Sequence, residues 1–427
     1  MPPISKSSSI IVVGGAGTFG SSTALHLARR GYTNVTAIDK FPPPSQVSAG
    51  NDLNKIIRTE YSEKIYSDLA LEAVESWKAD PVFSPHFHQT GWIVACSDRN
   101  SRTARELIFD PYEHMQTNEK LAPHLSLLAD SDAIFQQAPQ LKKLGGKLED
   151  WFGLWNGVNG WAMAKDAVEA AAKEAQRLGV RYVCGKEGAV VEVKLGPDGA
   201  ATLVTADGRL WTADHIILCT GAWSPGLVDL QGQCFSKCWT VGHLQLTPEE
   251  AHELKGLPVI DHSDHGFFFE PSLDTHQIKI CNAMPGYQNA VGDKDGLSLP
   301  SETKFALPDE AIKALSSFIE EVLPRFKDRP VVDPMICWCA DHNDGNWLID
   351  FHPQAHANSL LLATGDSGMA FKFLPTIGKY IVDRLEGQAK EIWRWRPEAT
   401  PKADSSRPEG RVKDLKELDG WPERQKL

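Results

Sequence analysis

Residues 8–20 read SSIIVVGGAGTFG, and the fold turns on this stretch. A short β-branched run, Ile10 to Val13, ends in a glycine-rich turn. SSTALHLARRGY follows at 21–32, with Ala24, Leu27 and Ala28 at helical spacing and Gly31 as a stop. NVTAID (34–39) is a second strand-like run, ending in Asp39. A strand, a turn, a helix and a strand in succession place the two strands parallel. Gly15, Gly17 and Gly20 stand in G-x-G-x-x-G register at the turn. Gly17 lets the main chain approach a pyrophosphate, and the helix start offers unpaired N–H groups and a positive dipole to it. Asp39 sits where a carboxylate would take a ribose hydroxyl. The motif predicts dinucleotide binding against the alternative of an ordinary tight turn, and does not say which dinucleotide.

Working outward, two more strand–glycine-turn units appear, HIILCTGAWSP (215–225) and SLLLATGDSGMAFKFLPTIGKYIVDRLEG (359–387). If all three line one nucleotide, its domain is assembled from separated segments. Between them VRYVCG, AVVEVKL, AATLVTA and RLWTA (180–213) read as strands of a meander. The Ala-rich stretch 161–178 is the clearest helix, with Gly179 as its stop. Residues 68–80, 103–121 and 309–323 also read as helices, and WTVGHLQL, GFFFEP and HQIKICNA as strands. The tail 396–427 is polar and proline-punctuated, and no internal repeat is visible.

The chain has 427 residues, 42% of them hydrophobic, which is enough for a packed core. Its formal net charge of −12 argues against nucleic acid and anionic membrane surfaces as partners. The N-terminal apolar run is shorter than a secretory core segment, and no stretch approaches the length of a membrane helix. The expectation is an intracellular protein, cytoplasmic or peroxisomal, the latter on Gln425-Lys426-Leu427, a poor match to a Ser-Lys-Leu address. Cys234-x3-Cys238 and Cys337-x-Cys339 lack a second pair or nearby histidines, so no metal is expected.

The stretches STALHLARRGYTNVT, SAGNDLNK, GFFFEP with IKIC after it, ICWCAD and ATGDSGMAFKFLPTIGK resemble, over nearly the whole chain, one family of amine oxidases. It is the family of monomeric sarcosine oxidase, pipecolate oxidase and the fungal fructosyl amino acid oxidases (amadoriases). The resemblance implies an α/β (α+β overall) protein. A Rossmann-like FAD-binding domain of the glutathione-reductase/amino-acid-oxidase type would come from 1–60, 155–225 and 330–390. A sheet-rich substrate domain would come from 61–154 and 226–329, with 391–427 as a tail and a monomeric chain. To the FAD it assigns Gly15, Ala16, Gly17, Thr18, Phe19, Gly20, Asp39, Lys40, Ser48, Asn51, Lys55, Val190, Asp366, Gly368, Met369 and Lys372. Cys337 matches the cysteine joined to the flavin as a thioether, with Cys339 as competitor and a buried core thiol as the plain reading of either.

Lys279 matches the lysine that faces the flavin and promotes reaction with molecular oxygen, because a cation in a dry site stabilises developing negative charge. Flanked by Ile278 and Ile280, it could equally face water on the other side of its strand. Arg58 and Lys372 match the two cations that hold the substrate carboxylate, one suited to bidentate contact and the other a point charge. Arg407 or Arg411 could match a further carboxylate-binding arginine of the amadoriases. Ala283 stands where the amadoriases carry a substrate-holding glutamate, and an alanine can neither hydrogen-bond a sugar nor pair with an ammonium. The expected activity is oxidation of a C–N bond in a small N-substituted amino acid, releasing hydrogen peroxide. Saccharopine, pipecolate, N-methyl and fructosyl substrates all remain open. The amine must be neutral for hydride to leave, and a desolvated cationic pocket lowers its pKa; no general base is obvious in the sequence, and hydride transfer does not strictly need one. The alternatives are a flavin dehydrogenase, a cyclising biosynthetic oxidase, and a flavoprotein whose activity is lost.

Overall fold

The computed structural model describes residues 4–292, 297–402 and 410–422. Two large sheets organise it. One has six strands, in the order Leu348–Phe351, Leu360–Thr364, His215–Leu218, Ile10–Val13, Val35–Asp39, Arg181–Cys184. All are parallel except the first, which runs antiparallel to Leu360–Thr364. The three glycine-turn strands are therefore direct neighbours, and their corners open at one edge. The helix Thr18–Arg29 packs between Ala164–Arg177 and Ile377–Leu385. Gly14 takes φ +75°, and a Cβ there would stand 2.5 Å from the Cys219 carbonyl oxygen. A Cβ on Gly20 would stand 2.1 Å from the Gly14 carbonyl oxygen. Glycine at these two positions lets the helix start and the neighbouring strand close on the turn.

The second sheet has ten strands, including Trp92–Cys96, Cys234–Gln245, Val259–His262, Gly266–Phe268, Gln277–Asn282 and Val332–His342. It carries its own apolar core, with Leu244, Ile278, Ile280, Phe268 and Phe318 among its members. The strand Val332–His342 lies in this sheet, paired with Cys234–Gln245, although the sequence division groups it with the nucleotide-binding segments. The tail joins the same sheet: Lys413–Asp414 pairs with Tyr287–Gln288, and Leu415, Leu418 and Trp421 are buried.

Two local expectations are corrected. The helix read at 161–178 begins only at Ala164. Residues Gly160–Met163 form a strand between Asn54–Ile57 and Phe87–His88, where Trp161 is buried and donates to Glu270. Backbone pairing there overrides the helical composition. The first strand of the expected meander, Arg181–Cys184, pairs in parallel with Val35–Asp39, leaving Val190–Leu195, Ala201–Thr205 and Leu210–Trp211 as the antiparallel set. Among the described residues no helix is long and apolar enough to cross a membrane.

Candidate active site

A cavity of about 650 Å³ runs from the three glycine corners of the parallel sheet to one face of the ten-stranded sheet. Gly14, Gly17 and Thr18 line it from the first corner, Thr220 and Gly221 from the second, and Asp366 and Gly368 from the third.

At the nucleotide end the arrangement suits a dinucleotide. Gly17 is the N-cap of Thr18–Arg29 and makes no side-chain cap, and no acidic residue occupies the first turn. The opening N–H groups thus keep their capacity for an anion. Asp39 lines the cavity while accepting from the Ala16 N–H (3.2 Å), the Phe41 N–H (3.1 Å) and the Ser45 hydroxyl (3.0 Å). These bonds fix the carboxylate and leave lone pairs for a hydroxyl. Phe19, Lys40, Ser48 and Val190 also face the cavity, whereas Gly15, Ala16 and Gly20 shape the turn behind it. Asn51 does not line the cavity; its carbonyl, with those of Gln46 and Ser48, accepts from the Lys304 ammonium, which pins the 46–51 loop. Met369 lines a smaller adjoining cavity. Trp92 lines the main cavity, and its buried indole N–H has no partner among the described residues. Such an orphaned donor suits a site built around a polar ligand.

The sheet face is set by strand alternation. Trp239 and Val241, Asp261, Phe267, Lys279 and Cys281, Cys337 and Cys339 occupy alternate positions of five neighbouring strands, and all line the cavity. Lys279 is 1% exposed, and Ile278 and Ile280 on the opposite face are equally buried. The solvated reading of Lys279 is thereby excluded: the strand is covered on both faces. Its ammonium donates to the Asn54 carbonyl (2.7 Å) and pairs with the Asp52 carboxylate (2.5 Å). Lys55 pairs with the same Asp52 oxygen at 2.5 Å and lies 3.9 Å from the Cys337 sulfur. Burial alone would raise the Asp52 carboxyl, but Lys279 and Lys55 hold it well below the usual range. Burial lowers Lys279 despite Asp52. One carboxylate thus supports a fully buried lysine and a half-buried one beside the thiol.

Arg58 and Lys372 face the same cavity from the other side. The Arg58 guanidinium lies over the rings of Tyr61 (4.6 Å) and Trp92 (5.2 Å) and donates to the Glu60 carbonyl. Among the described residues neither cation belongs to a salt bridge. Burial, reinforced by Arg58 and Lys55, pushes Lys372 down to about 7. Both cations therefore retain their capacity for an anion. Ala283 lines this region and contributes only a methyl group. Arg411 is elsewhere: its side chain is 74% exposed and pairs with Glu417. Arg407, like Gln425, Lys426 and Leu427, lies outside the described residues.

Two participants were not anticipated. Asp52 lies within the SAGNDLNK stretch, three residues before Lys55, and its pairing with Lys279 depends on a strand more than two hundred residues away. Asp261, on the cavity face of Val259–His262, carried no usable signal, because VIDHSDHG reads as a polar turn.

Residues 9–384 match the family described as FAD dependent oxidoreductase. L-saccharopine oxidase of Schizosaccharomyces pombe is 34% identical over 409 residues, covering 90% of this chain and 93% of that protein. Monomeric sarcosine oxidase of Streptomyces avermitilis is 24% identical over 390 residues, covering 87% and 92%. The crystal structure of the deglycating enzyme fructosamine oxidase (Amadoriase II) from Aspergillus fumigatus superposes with a TM-score of 0.86, at 38% identity and 98% coverage of both chains.

Proposed function

We propose that this chain, which belongs to the FAD-dependent oxidoreductase family, is an oxidase of non-sugar N-substituted amino acids that releases hydrogen peroxide. The observation that carries the reading is the cavity itself. It gathers a nucleotide cradle, a thiol beside Lys279 and Lys55, and two cations that form no salt bridge among the described residues around one space.

Gly17, Thr18, Asp39 and the second and third glycine corners would hold the nucleotide of FAD, and Cys337 would anchor its ring system. Bound FAD supplies acceptance of hydride from the carbon beside the substrate nitrogen and return of the electrons to oxygen. Arg58 and Lys372 hold the substrate carboxylate and fix the position of the adjacent C–N bond. Their positive field also favours the neutral form of the amine. Lys279, kept dry and charged beside Asp52, provides a fixed cation where negative charge develops on oxygen. The aromatic walls, Phe267, Phe269 and Trp239, limit water. Ala283 supports a substrate without a sugar, since no carboxylate at that position reaches toward one.

The test is a peroxide assay under air with sarcosine, L-pipecolate, L-saccharopine and fructosyl-glycine, alongside an artificial electron acceptor. Peroxide from at least one of the first three is expected. Turnover only with the artificial acceptor points to a dehydrogenase, and strong activity on fructosyl-glycine alone defeats the reading.

A further inference from the structure

We propose that Asp261 is a catalytic residue of this reaction: its carboxylate binds the substrate's reacting ammonium and removes the proton that must leave before oxidation. The inference rests on the functional reading above and deepens it. Substituted amines with a carboxylate are zwitterions in water, so a positive nitrogen accompanies the negative group that Arg58 and Lys372 hold. The proton on that nitrogen must leave either to water before binding or to a group inside the cavity.

Asp261 has the required placement. Strand alternation puts it on the same sheet face as Phe267, Cys281, Lys279 and Cys337, and it lines the same cavity. Its side chain is partly exposed to that cavity, and no hydrogen bond or salt bridge engages its carboxylate among the described residues. A carboxylate left without donors in such surroundings is costly unless a cation completes it. The charged groups facing it are Arg58 and Lys372 across the cavity, with the Cys96 thiol on the adjoining strand. Trp92, Val94 and Phe267 bring no titratable group, and His262 stacks on Trp151, 4.2 Å away. The cations mark where the substrate carboxylate sits, and Asp261 feels both of them from within the cavity.

The step balances simply. An N–H bond of the ammonium breaks, its electron pair stays on nitrogen, and an O–H bond forms on an Asp261 oxygen; nothing is oxidised. Burial raises the Asp261 carboxyl to about 6 against the pull of Arg58 and Lys372, so near neutral pH it is ionised yet basic enough to take a proton.

The experiment compares Asp261→Asn with the wild-type holoenzyme in anaerobic stopped-flow, following flavin bleaching by sarcosine, L-pipecolate and L-saccharopine across pH. The wild-type reduction rate is expected to fall as pH drops through about 6. In Asp261→Asn the rate at pH 7 is expected to drop by roughly 100-fold, the usual scale for a lost general base, and to recover as pH rises toward the amine's own pKa. A second readout is binding without turnover. Asp261→Asn should weaken trimethylglycine, whose quaternary ammonium has no lone pair to support oxidation, and leave its uncharged isostere 3,3-dimethylbutanoate unchanged. Equal effects on both ligands, or an unchanged pH profile, overturn the proposal. So does an acidic limb that persists in Asp261→Asn and disappears in Lys372→Met. If Asp261→Asn fails to hold flavin, the wild-type profile decides, and a flat rate through pH 6 overturns it. If none of the three amines bleaches the wild type, the functional reading fails, while the paired-ligand comparison still tests Asp261.

Discussion

Replacing Asp52 by Asn keeps the side chain's shape and removes the one charge shared by the buried Lys279 and the half-buried Lys55. Both ammonium groups stand 2.5 Å from the same Asp52 oxygen, and Asp52 is fully buried. At an effective dielectric of 20, each such pair attracts by about 7 kcal/mol before solvation is counted. Burying three charges and setting two cations side by side offsets most of that attraction. What decides the variant is the charge left behind: removing one partner of a buried ion pair costs about 3–5 kcal/mol. Lys279 keeps the Asn54 carbonyl at 2.7 Å, but Lys55 keeps only the neighbourhood of Cys337. Asp52→Asn should therefore fall at the upper end of that range. Adding Lys279→Met to it should restore about 1–3 kcal/mol, because a stranded cation is removed. Guanidinium unfolding of the holoproteins, read by tryptophan fluorescence, gives the comparison. The pH dependence follows from the depressed Asp52 carboxyl. Its stabilisation is present above the unfolded value of about 4 and is lost as pH falls below it, so the gap between wild type and Asp52→Asn should shrink as pH drops below about 4. Stability within error of wild type, or strict additivity with Lys279→Met, would refute the shared-carboxylate account.

Other outcomes follow from the same geometry. Lys279→Met should slow flavin reoxidation by roughly 100-fold, the scale for one lost preorganised charge, while flavin reduction changes little; equal slowing of both contradicts its role. Cys337→Ser should release flavin on denaturation and gel filtration, whereas Cys339→Ser should keep it with the protein. Arg58→Met should weaken binding of simple carboxylate inhibitors by about 2–5 kcal/mol, measured by perturbation of the flavin spectrum. Burial lowers Lys372 to about 7, and an anion beside it raises that value; carboxylate binding at pH 8 should therefore take up protons, seen calorimetrically in buffers of different ionisation enthalpy, and Lys372→Met should abolish the uptake.

The glycine corner at 14–20 was legible because its requirements are local. A strand, a turn with no room for side chains and a helix start are written within a few residues, and Gly20 packs on the Gly14 backbone where the motif says it must. The adjacency of the other two corners followed from the same pattern repeated. Lys279 was ambiguous for a different reason. Alternation says which face a side chain takes, not what covers that face, and this strand is covered on both. The start of the helix at 164 was misplaced because Trp161 and Ala162 are held by pairing with residues distant in sequence. Asp52 and Asp261 escaped for that reason too: each acquires meaning only when strands from other parts of the chain close around it.

The most direct test of the central claim is anaerobic titration of the purified holoprotein with L-saccharopine, L-pipecolate and sarcosine, followed by admission of air. The account predicts a yellow protein whose visible flavin band is bleached by at least one of these non-sugar amines, and restored by oxygen with hydrogen peroxide formed in proportion. A colourless protein, or a flavin that all three leave untouched while fructosyl-glycine bleaches it, contradicts the account.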